Sequence, residues 1–336
     1  PGASGRHVPA GMMNTGYYAR FFSQIKQLGA GSFGAVFLCR HVLDDLLLGD
    51  YAVKKVPVGD NKAWLRDMIR EVKTFERLHH PNIVEYKHSW LELSRRSEFC
   101  PLVPFLFILM QYCNGGSLDE LVWFDGDPTR PRPLLPVVQI WNHLTDIVCG
   151  LQHLHHRGIL HRDLKPTNIL LEWPDDLPAA ARAAGSAMPR ALLSDFGTAA
   201  PLGEVNGAAT SRGYTGTVEY TAPELLCFDR PSHGTVHLQE YTEKSDMWSL
   251  GVVLYALCYA GLPFSNDNPS TLKAVIRSFV AERESLAASD GQAADVTAWL
   301  PPDEDGRLGL LRLVLAALLE IDMSRRPSAS DLLDNT

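Results

Sequence analysis

The sequence predicts an α+β protein of two lobes: a small N-terminal lobe rich in β-strands with one main helix, and a larger, mostly helical C-terminal lobe. Short apolar runs typical of strands dominate before about residue 112, and the longest helical periodicities come after it. A connection that contains a glycine pair, residues 111–117, separates the two regions. We therefore predict a tail (residues 1–20), an N-terminal lobe (21–112) and a C-terminal lobe (113–336).

Composition excludes several function classes. The chain has 336 residues, of which 46% are apolar, so it can bury a substantial core. Its net charge of −8 argues against broad nucleic-acid binding, which usually requires a basic face. Six scattered cysteines without C-x-x-C spacing favour reduced thiols, and hence a cytoplasmic location, over disulfides or a zinc site. The N-terminus has no signal-peptide pattern, and because it starts at Pro1 we expect a piece of a longer protein.

The N-terminal lobe begins after a tail, residues 1 to about 20, that is rich in Gly, Pro and Ala and has no period, which predicts mobility. Gly29, Gly31 and Gly34 then have G-x-G-x-x-G spacing. Glycines permit a tight turn and let backbone amides approach a phosphate closely. A Rossmann fold uses the same spacing, but there the glycines open a helix. Here residues 36–38 continue as a β-type run, which favours strand–loop–strand.

Two adjacent lysines, Lys54 and Lys55, lie in the strand-like run 51–56. Side chains of neighbouring strand residues point to opposite faces, so one lysine can enter a cleft while the other meets solvent. The alternative is that both are surface lysines. A helix is predicted over residues 60–78 from apolar residues at three- and four-residue steps. Glu71 lies beside its apolar face, either as a solvated edge residue or as the ion-pair partner of a cleft lysine.

The C-terminal lobe is predicted to start with a long amphipathic helix, residues 137–156, which leads into residues 159–171. That stretch consists of two apolar strand ends around a polar turn with a carboxylate (Asp163), an ammonium group (Lys165) and a carboxamide (Asn168). Phosphoryl transfer needs such a set to orient the attacking hydroxyl, to meet the charge of the moving group and to hold magnesium. A solvated polar loop is the alternative.

Farther along, residues 192–197 return to a strand and a turn, and residues 198–218 form a predicted mobile loop with several hydroxyl side chains. Residues 247–264 carry no charge and are about long enough to cross a bilayer. They are interrupted by Gly and Pro, follow Lys244 and Asp246 directly and have no basic flank on the far side, so we predict a buried core helix. The last long helix is predicted over residues 308–320.

Taken in order, the motifs are Gly29, Gly31, Gly34 and Val36; Lys54; Glu71; residues 161–168; Asp195-Phe196-Gly197; Ala222-Pro223-Glu224; Asp246-Met247-Trp248; and Arg326. On these residues the chain resembles a eukaryotic protein kinase catalytic domain over about residues 22–334. Lys165 followed by Pro166, and Gly216-Thr217 upstream of Tyr220, resemble the serine/threonine branch. Within that branch, the amino-acid sequence of the hinge and the loop is similar to that of fungal Ira-suppressor-type kinases. The insertions are similar to those of translation-initiation-factor-2α kinases.

The resemblance implies a role for each matching residue. Lys54 would bind the α- and β-phosphates of ATP with Glu71 as its orienting partner, and Asp163 would orient and deprotonate the substrate hydroxyl. Lys165 would stabilise charge on the γ-phosphoryl group, while Asn168 and Asp195 would hold Mg²⁺. The other implied nucleotide contacts are Leu28, Gly29, Ala30, Gly31, Ser32, Phe33, Gly34, Val36, Ala52, Met110, Gln111, Cys113 and Leu170.

Two further features are implied. Glu224 and Arg326 would form a structural ion pair, and Arg162, directly before Asp163, implies activation by phosphorylation of the loop at Thr210, Ser211 or Thr215. Some serine/threonine kinases read basic substrates with an acidic residue at the position that Thr167 occupies here, so a basic substrate consensus is not implied.

The implied function is ATP-dependent transfer of phosphate to serine and threonine hydroxyls of protein substrates, without nucleic-acid partners and without membrane insertion. A pseudokinase, which uses the same fold as a binding module, usually lacks the equivalent of Lys54, Asp163 or Asp195, and all three are present. A small-molecule kinase of related fold usually lacks the Ala-Pro-Glu segment and the threonine-rich loop, and both are present here.

Overall fold

The structure is a computed structural model, and it describes residues 13–31, 34–58, 62–95, 100–174, 177–183, 187–195, 200–201, 218–226, 241–264, 271–272, 274–276, 278–280 and 297–334. The chain divides into two compact units, Pro1–Asn114 and Gly115–Thr336. The first is built on a β-sheet and the second mainly on helices, which confirms the predicted α+β class.

The sheet of the first unit is antiparallel and has five strands in the order β1-β2-β3-β5-β4. They are β1 (Phe22–Gly31), β2 (Gly34–Leu43), β3 (Leu46–Pro57), β4 (Tyr86–Ser94) and β5 (Val103–Gln111). Asp44 and Asp45 join β2 to β3 with φ of 50° and 63°, the left-handed backbone that a two-residue hairpin turn requires. The main helix of the unit, α2 (Lys62–Phe75), lies between β3 and β4 in the chain and agrees with the helix predicted over residues 60–78.

One face of this sheet carries a core that the sequence did not predict. A short helix, α1 (Tyr17–Phe21), packs its aromatic residues Tyr17, Tyr18 and Phe21 on it. The buried residues beneath it are Phe22, Cys39, Val53, Trp90, Phe105, Phe107 and Leu109. The sequence predicted a mobile tail over residues 1–20, but residues 13–20 are placed on the sheet because aromatic burial outweighs the low regularity of the segment. Residues 1–12 lie outside the described residues.

The second unit contains α3 (Asp119–Val122), α4 (Val137–His155), β6 (Ile159–Leu160), β7 (Ile169–Glu172), α5 (Ala179–Ala183), β8 (Arg190–Leu193), β9 (Ala200–Pro201), α6 (Glu243–Tyr259), α7 (Leu310–Leu318) and α8 (Ala329–Asp334). The long helix predicted before the polar turn is confirmed as α4. Strand β6 pairs with β9 and β7 with β8, both antiparallel, and these two pairs flank the polar turn.

Helix α6 is the centre of the second unit and confirms the predicted core helix. Residues 245–254 are all buried, and at the start of the helix the Thr242 N–H donates to Ser245 Oγ at 3.3 Å. A Cβ atom at Gly251 would lie 2.8 Å from the Leu319 side chain, so only glycine allows the chain after α7 to pack this closely. Among the described residues, none of the helices combines the length and apolar character that crossing a bilayer would need.

Candidate active site

The glycine-rich segment forms a hairpin in the first unit. Gly29 pairs with Val36, Ala30 with Ala35 and Gly31 with Gly34 across β1 and β2, which confirms strand–loop–strand. Gly34 has φ of 142°, and a Cβ atom there would lie 2.1 Å from the carbonyl oxygen of Lys55. Glycine is therefore required at position 34 for both backbone conformation and space. Ser32 and Phe33, the predicted turn residues between the strands, lie outside the described residues.

Lys54 lies in the middle of the sheet, opposite Val36 on β2 and Ile108 on β5, and it is half-buried. The predicted nucleotide contacts Ala52 and Met110 are opposite each other in β3 and β5, and both are buried. The other predicted nucleotide contacts of this unit differ in exposure. Leu28 is exposed, Val36 and Gln111 are half-buried, and Cys113 is buried. Glu71 is on α2, and its side chain is outside the described part of the structure.

Lys55 corrects one expectation. The alternation of strand side chains holds, but the second lysine is half-buried and also packs against aromatic rings. Its Nζ lies 3.8 Å from the ring centroid of Tyr18 and 4.7 Å from that of Phe37, and it donates a hydrogen bond to Gln24 Oε1 at 3.0 Å. The sequence-based expectation failed because the face of the sheet that Lys55 occupies is covered by α1.

The second unit brings the three polar groups of the predicted catalytic turn together. Lys165 Nζ lies 2.9 Å from Asp163 Oδ2. Asn168 Nδ2 donates to Asp163 Oδ2 at 2.9 Å and to the Asp163 carbonyl oxygen at 2.8 Å. Asp163 is thus held by a cation and an amide on the same carboxylate oxygen. The turn is not simply a solvated loop, since the side chains of Asp163 and Lys165 are only 19% and 20% exposed.

The β7–β8 hairpin places Asp195 next to this turn. Ile169 pairs with Leu193, and beyond that pair both the backbone N–H and the hydroxyl of Ser194 donate to the Asn168 carbonyl oxygen at 2.9 Å. Asp195 follows directly, is exposed, and has φ of 54°. Leu170, the predicted adenine contact in this unit, is half-buried and forms a β-bridge with Ser117. Phe196 and Gly197, which complete the predicted metal-binding triplet, lie outside the described residues.

The donor set fits a hard divalent cation. Asn168 uses its Nδ2 toward Asp163, so its Oδ1 is the atom that a metal would take, and Asp195 supplies a carboxylate. Within the described ranges, no group of three or more His, Cys, Asp and Glu side chains could hold a metal ion. An amide oxygen and one carboxylate, with the remaining positions left to water and phosphate, are the kind of ligands that Mg²⁺ prefers.

The role of Asp246 in holding the catalytic turn was missed by sequence reasoning. Its Oδ2 accepts from the backbone N–H of His161 at 2.9 Å, and its Oδ1 from that of Arg162 at 3.0 Å. His155 Nε2 lies 2.9 Å from Asp246 Oδ2. The only signal available was a carboxylate beginning an otherwise uncharged run, because buried carboxylates are rare unless they are paired.

The burial of Asp246 and His161 shifts the pKa values of both side chains. Burial alone would raise the pKa of the Asp246 carboxyl, but the hydrogen bond from His155 and the donors of the turn hold that pKa below its ordinary value. Burial lowers the pKa of His161, against the opposing effect of Asp246, Asp163 and Asp195. Burial thus favours the uncharged form of the His161 imidazole. Arg162 has φ of 67°, and its guanidinium carbon lies 5.9 Å from the ring centroid of Tyr241.

The predicted structural ion pair is confirmed. Arg326 Nη1 lies 2.9 Å from Glu224 Oε1, and Arg326 Nη2 donates to Glu224 Oε2 at 3.2 Å. The three loop residues predicted as phosphorylation sites, Thr210, Ser211 and Thr215, lie outside the part of the chain that the structure describes.

Comparison with known proteins agrees with these motifs. A family model described as the protein kinase domain matches residues 22–336. The chain is 42% identical over 261 residues to the probable serine/threonine-protein kinase iksA of Dictyostelium discoideum, covering 75% of this chain and 25% of that protein. It is 33% identical over 250 residues to the serine/threonine-protein kinase Nek5 of Homo sapiens, covering 74% of this chain and 29% of that protein. The chain thus spans little more than a quarter of the length of either relative.

Proposed function

Because this chain belongs to the protein kinase domain family, in its serine/threonine branch, we propose that it transfers the γ-phosphate of Mg-ATP to serine and threonine hydroxyls of protein substrates. The single observation that supports this most is the geometry of Asp163. Both Lys165 Nζ and Asn168 Nδ2 approach its Oδ2, which leaves Oδ1 to accept the hydroxyl of the substrate.

The residues of the second unit divide the work of the transfer. Asp163 orients the attacking hydroxyl and takes its proton, and the hydrogen bonds from Asn168 keep the carboxylate in one rotamer. The Asp163 carboxylate would repel the negative charge of the transferred phosphoryl group. The ammonium group of Lys165 lies next to Asp163 and offsets this repulsion. Asp246 fixes the backbone of His161 and Arg162, so Asp163 starts from a rigid main chain.

Asn168 Oδ1 and the Asp195 carboxylate would hold magnesium. When bound, Mg²⁺ would offset the negative charge of the phosphates. The first unit would bind the rest of the nucleotide, with Lys54 on the α- and β-phosphates and the β1–β2 hairpin against the phosphate chain. Ala52 and Met110, opposite each other in the sheet, would contact the adenine ring.

We also propose regulation by phosphorylation of the loop that contains Thr210, Ser211 and Thr215. Arg162 supports this proposal because it directly precedes Asp163 in the chain. A phosphate bound by the Arg162 guanidinium would therefore act on a residue only one peptide bond away from Asp163. A reducing compartment such as the cytoplasm is proposed as well, because the described cysteines are all free thiols.

The test is transfer of labelled phosphate from Mg-ATP to an array of serine- and threonine-containing peptides. The unmodified chain should label a subset of peptides. Asp163→Asn should lower kcat by about 10²- to 10⁴-fold, the contribution of a positioned acid–base group, with an unchanged unfolding temperature. Asp305→Asn, at an exposed carboxylate, is the matched control and should have normal activity. Equal inactivity of the unmodified chain and Asp163→Asn, with Mg-ATP still bound, would instead support a pseudokinase.

A further inference from the structure

Residues 13–21, which we call the N-terminal strap, connect the two edges of the five-stranded sheet across one of its faces. At the β4 edge, Met13 forms a parallel bridge with Leu91, and the Asn14 N–H donates to the Leu91 carbonyl oxygen at 2.7 Å. At the other end α1 runs directly into β1, the opposite edge strand. The strap thus belongs to the sheet of the first unit and is not an appendage.

Glu92 on β4 anchors the strap. Its side chain is 6% exposed, and it accepts hydrogen bonds from the backbone N–H of Gly16 at 3.0 Å, from that of Tyr18 at 2.9 Å and from Trp90 Nε1 at 3.2 Å. A buried carboxylate is stable only when it is hydrogen-bonded, and here two of the three donors belong to the strap. Removal of the strap would therefore leave Glu92 with much of its hydrogen bonding lost.

Lys55 on β3 is a second place where the strap contacts the sheet, away from the β4 edge. Tyr18 lies over its ammonium group, and Phe37 of β2 and Phe107 of β5 have ring centroids 4.7 Å and 5.7 Å from Nζ. Its hydrogen bond goes to Gln24 of β1. One side chain thus joins β1, β2, β5 and α1. Burial lowers the pKa of Lys55, as expected for an ammonium group that aromatic rings shield from water.

Lys55 is also a direct neighbour of the residues that are predicted to bind phosphate. Lys54 is its neighbour in β3, on the other face of the sheet. The Lys55 carbonyl oxygen is also the atom that a Cβ at Gly34 would strike, so the start of β2 is packed against this peptide unit. Any change that moves Lys55 therefore moves both Lys54 and the start of β2.

We propose that the N-terminal strap and Lys55 position the nucleotide-binding residues: the strap fixes Lys55, and Lys55 fixes the strand of Lys54 and the start of β2 at Gly34. This inference rests on the proposed function, since it assigns the phosphates of ATP to Lys54. Tyr18, Glu92 and Lys55 make no contact with the nucleotide in this scheme and act only through β3 and the β1–β2 hairpin.

The test compares Tyr18→Ala, which removes the ring over Lys55, with Tyr18→Phe, which keeps the ring and removes only the hydroxyl. The Kd of a non-hydrolysable Mg-ATP analogue is measured by calorimetry, alongside KM for ATP and kcat, at a temperature well below unfolding. Tyr18→Ala should raise both Kd and KM with kcat nearly unchanged. The increase should be about three- to tenfold if most of the free energy of a partly buried cation–π contact is transmitted to the nucleotide site. Tyr18→Phe should show a smaller change.

Lys55→Met keeps the aliphatic stem and removes the charge, and it provides a second variant if Tyr18→Ala does not fold. It should also raise Kd, whereas Lys87→Met, on the exposed side of β4, should not. A lower unfolding temperature with unchanged Kd and KM would overturn the proposal and leave the strap a purely structural element. If the unmodified chain binds the analogue but transfers no phosphate, the proposed function fails while the Kd series still decides this inference. If the unmodified chain binds no nucleotide, both fail.

Discussion

Arg326 and Glu224 form a two-pronged ion pair inside the second unit, with the Arg326 side chain 0% and the Glu224 side chain 6% exposed. The guanidinium also donates to the carbonyl oxygens of Glu320 and Lys244, so its charge is surrounded by acceptors. Breaking a buried pair leaves the other charge unpaired in a site that water does not reach, and this is far more costly than losing an exposed pair.

We expect Arg326→Ala to lower the free energy of unfolding by about 3–5 kcal/mol. Arg325→Ala is an unusually close control, because Arg325 is the preceding residue and its side chain is 75% exposed beside Asp322. That change should cost less than about 1 kcal/mol. Denaturant unfolding of the two variants measures both values, and similar losses would refute the assigned burial of the pair.

Gly34 and Gly29 allow a second matched comparison within the glycine-rich segment. Alanine at position 34 would strike the Lys55 carbonyl oxygen and would need the positive φ that L-residues avoid, whereas a Cβ at Gly29 meets nothing within 4 Å. We expect Gly34→Ala to destabilise the chain by at least about 2 kcal/mol and Gly29→Ala by less than about 1 kcal/mol. Thermal unfolding without nucleotide distinguishes them independently of any effect on catalysis.

Replacing one proposed magnesium ligand should change the metal requirement. Asp195→Asn keeps the shape and an oxygen donor but removes the negative charge, so the Mg²⁺ concentration for half-maximal transfer should rise by about tenfold or more. A chelator should abolish transfer by the unmodified chain, and added Mg²⁺ should restore it. A metal dependence in Asp195→Asn that matches the unmodified chain would remove Asp195 from the metal site.

Because His143 on α4 is buried, we expect the folding stability of the second unit to fall at acidic pH. Burial lowers the pKa of its imidazole to about 4 from the usual 6.5. Between these two pH values the unfolded chain binds the proton and the folded chain does not, so stability falls as the pH falls from 6.5 to 4. One such group contributes at most about 3.5 kcal/mol over this window, since one pKa unit corresponds to about 1.4 kcal/mol.

His143→Leu should therefore make the unfolding free energy less dependent on pH between 6.5 and 4 than it is in the unmodified chain. Urea unfolding at several pH values in this window measures the slope. The buried His161 acts in the same direction, so some dependence on pH should remain in His143→Leu.

Sequence reasoning predicted the features that depend on local pattern. Strand alternation correctly separated Lys54 from Lys55, and helical periodicity located α2, α4 and the last long helix. The set of Asp163, Lys165 and Asn168 could be predicted because these residues lie within a few positions of each other in one turn. Their hydrogen bonds are short-range contacts, which the order of residues largely determines.

Contacts between distant segments could not be predicted in this way. The hydrogen bond between His155 and Asp246 joins residues 91 positions apart, and the bond between Tyr18 and Glu92 joins residues 74 positions apart. The hydrophobic periodicity of these segments does not indicate which distant segment each of them contacts. The environment of Lys55 was misjudged for the same reason, because the ring that covers it comes from the segment interpreted as a tail.

The dependence of the catalytic turn on Asp246 has a consequence for biosynthesis. The carboxylate that holds the backbone of His161 lies 85 residues downstream, on the helix at the centre of the second unit. A nascent chain that has passed the turn but not yet exposed α6 outside the ribosome has the reactive side chains without the anchor that shapes them. The turn can therefore reach its folded backbone conformation only after α6 has been synthesised and has docked.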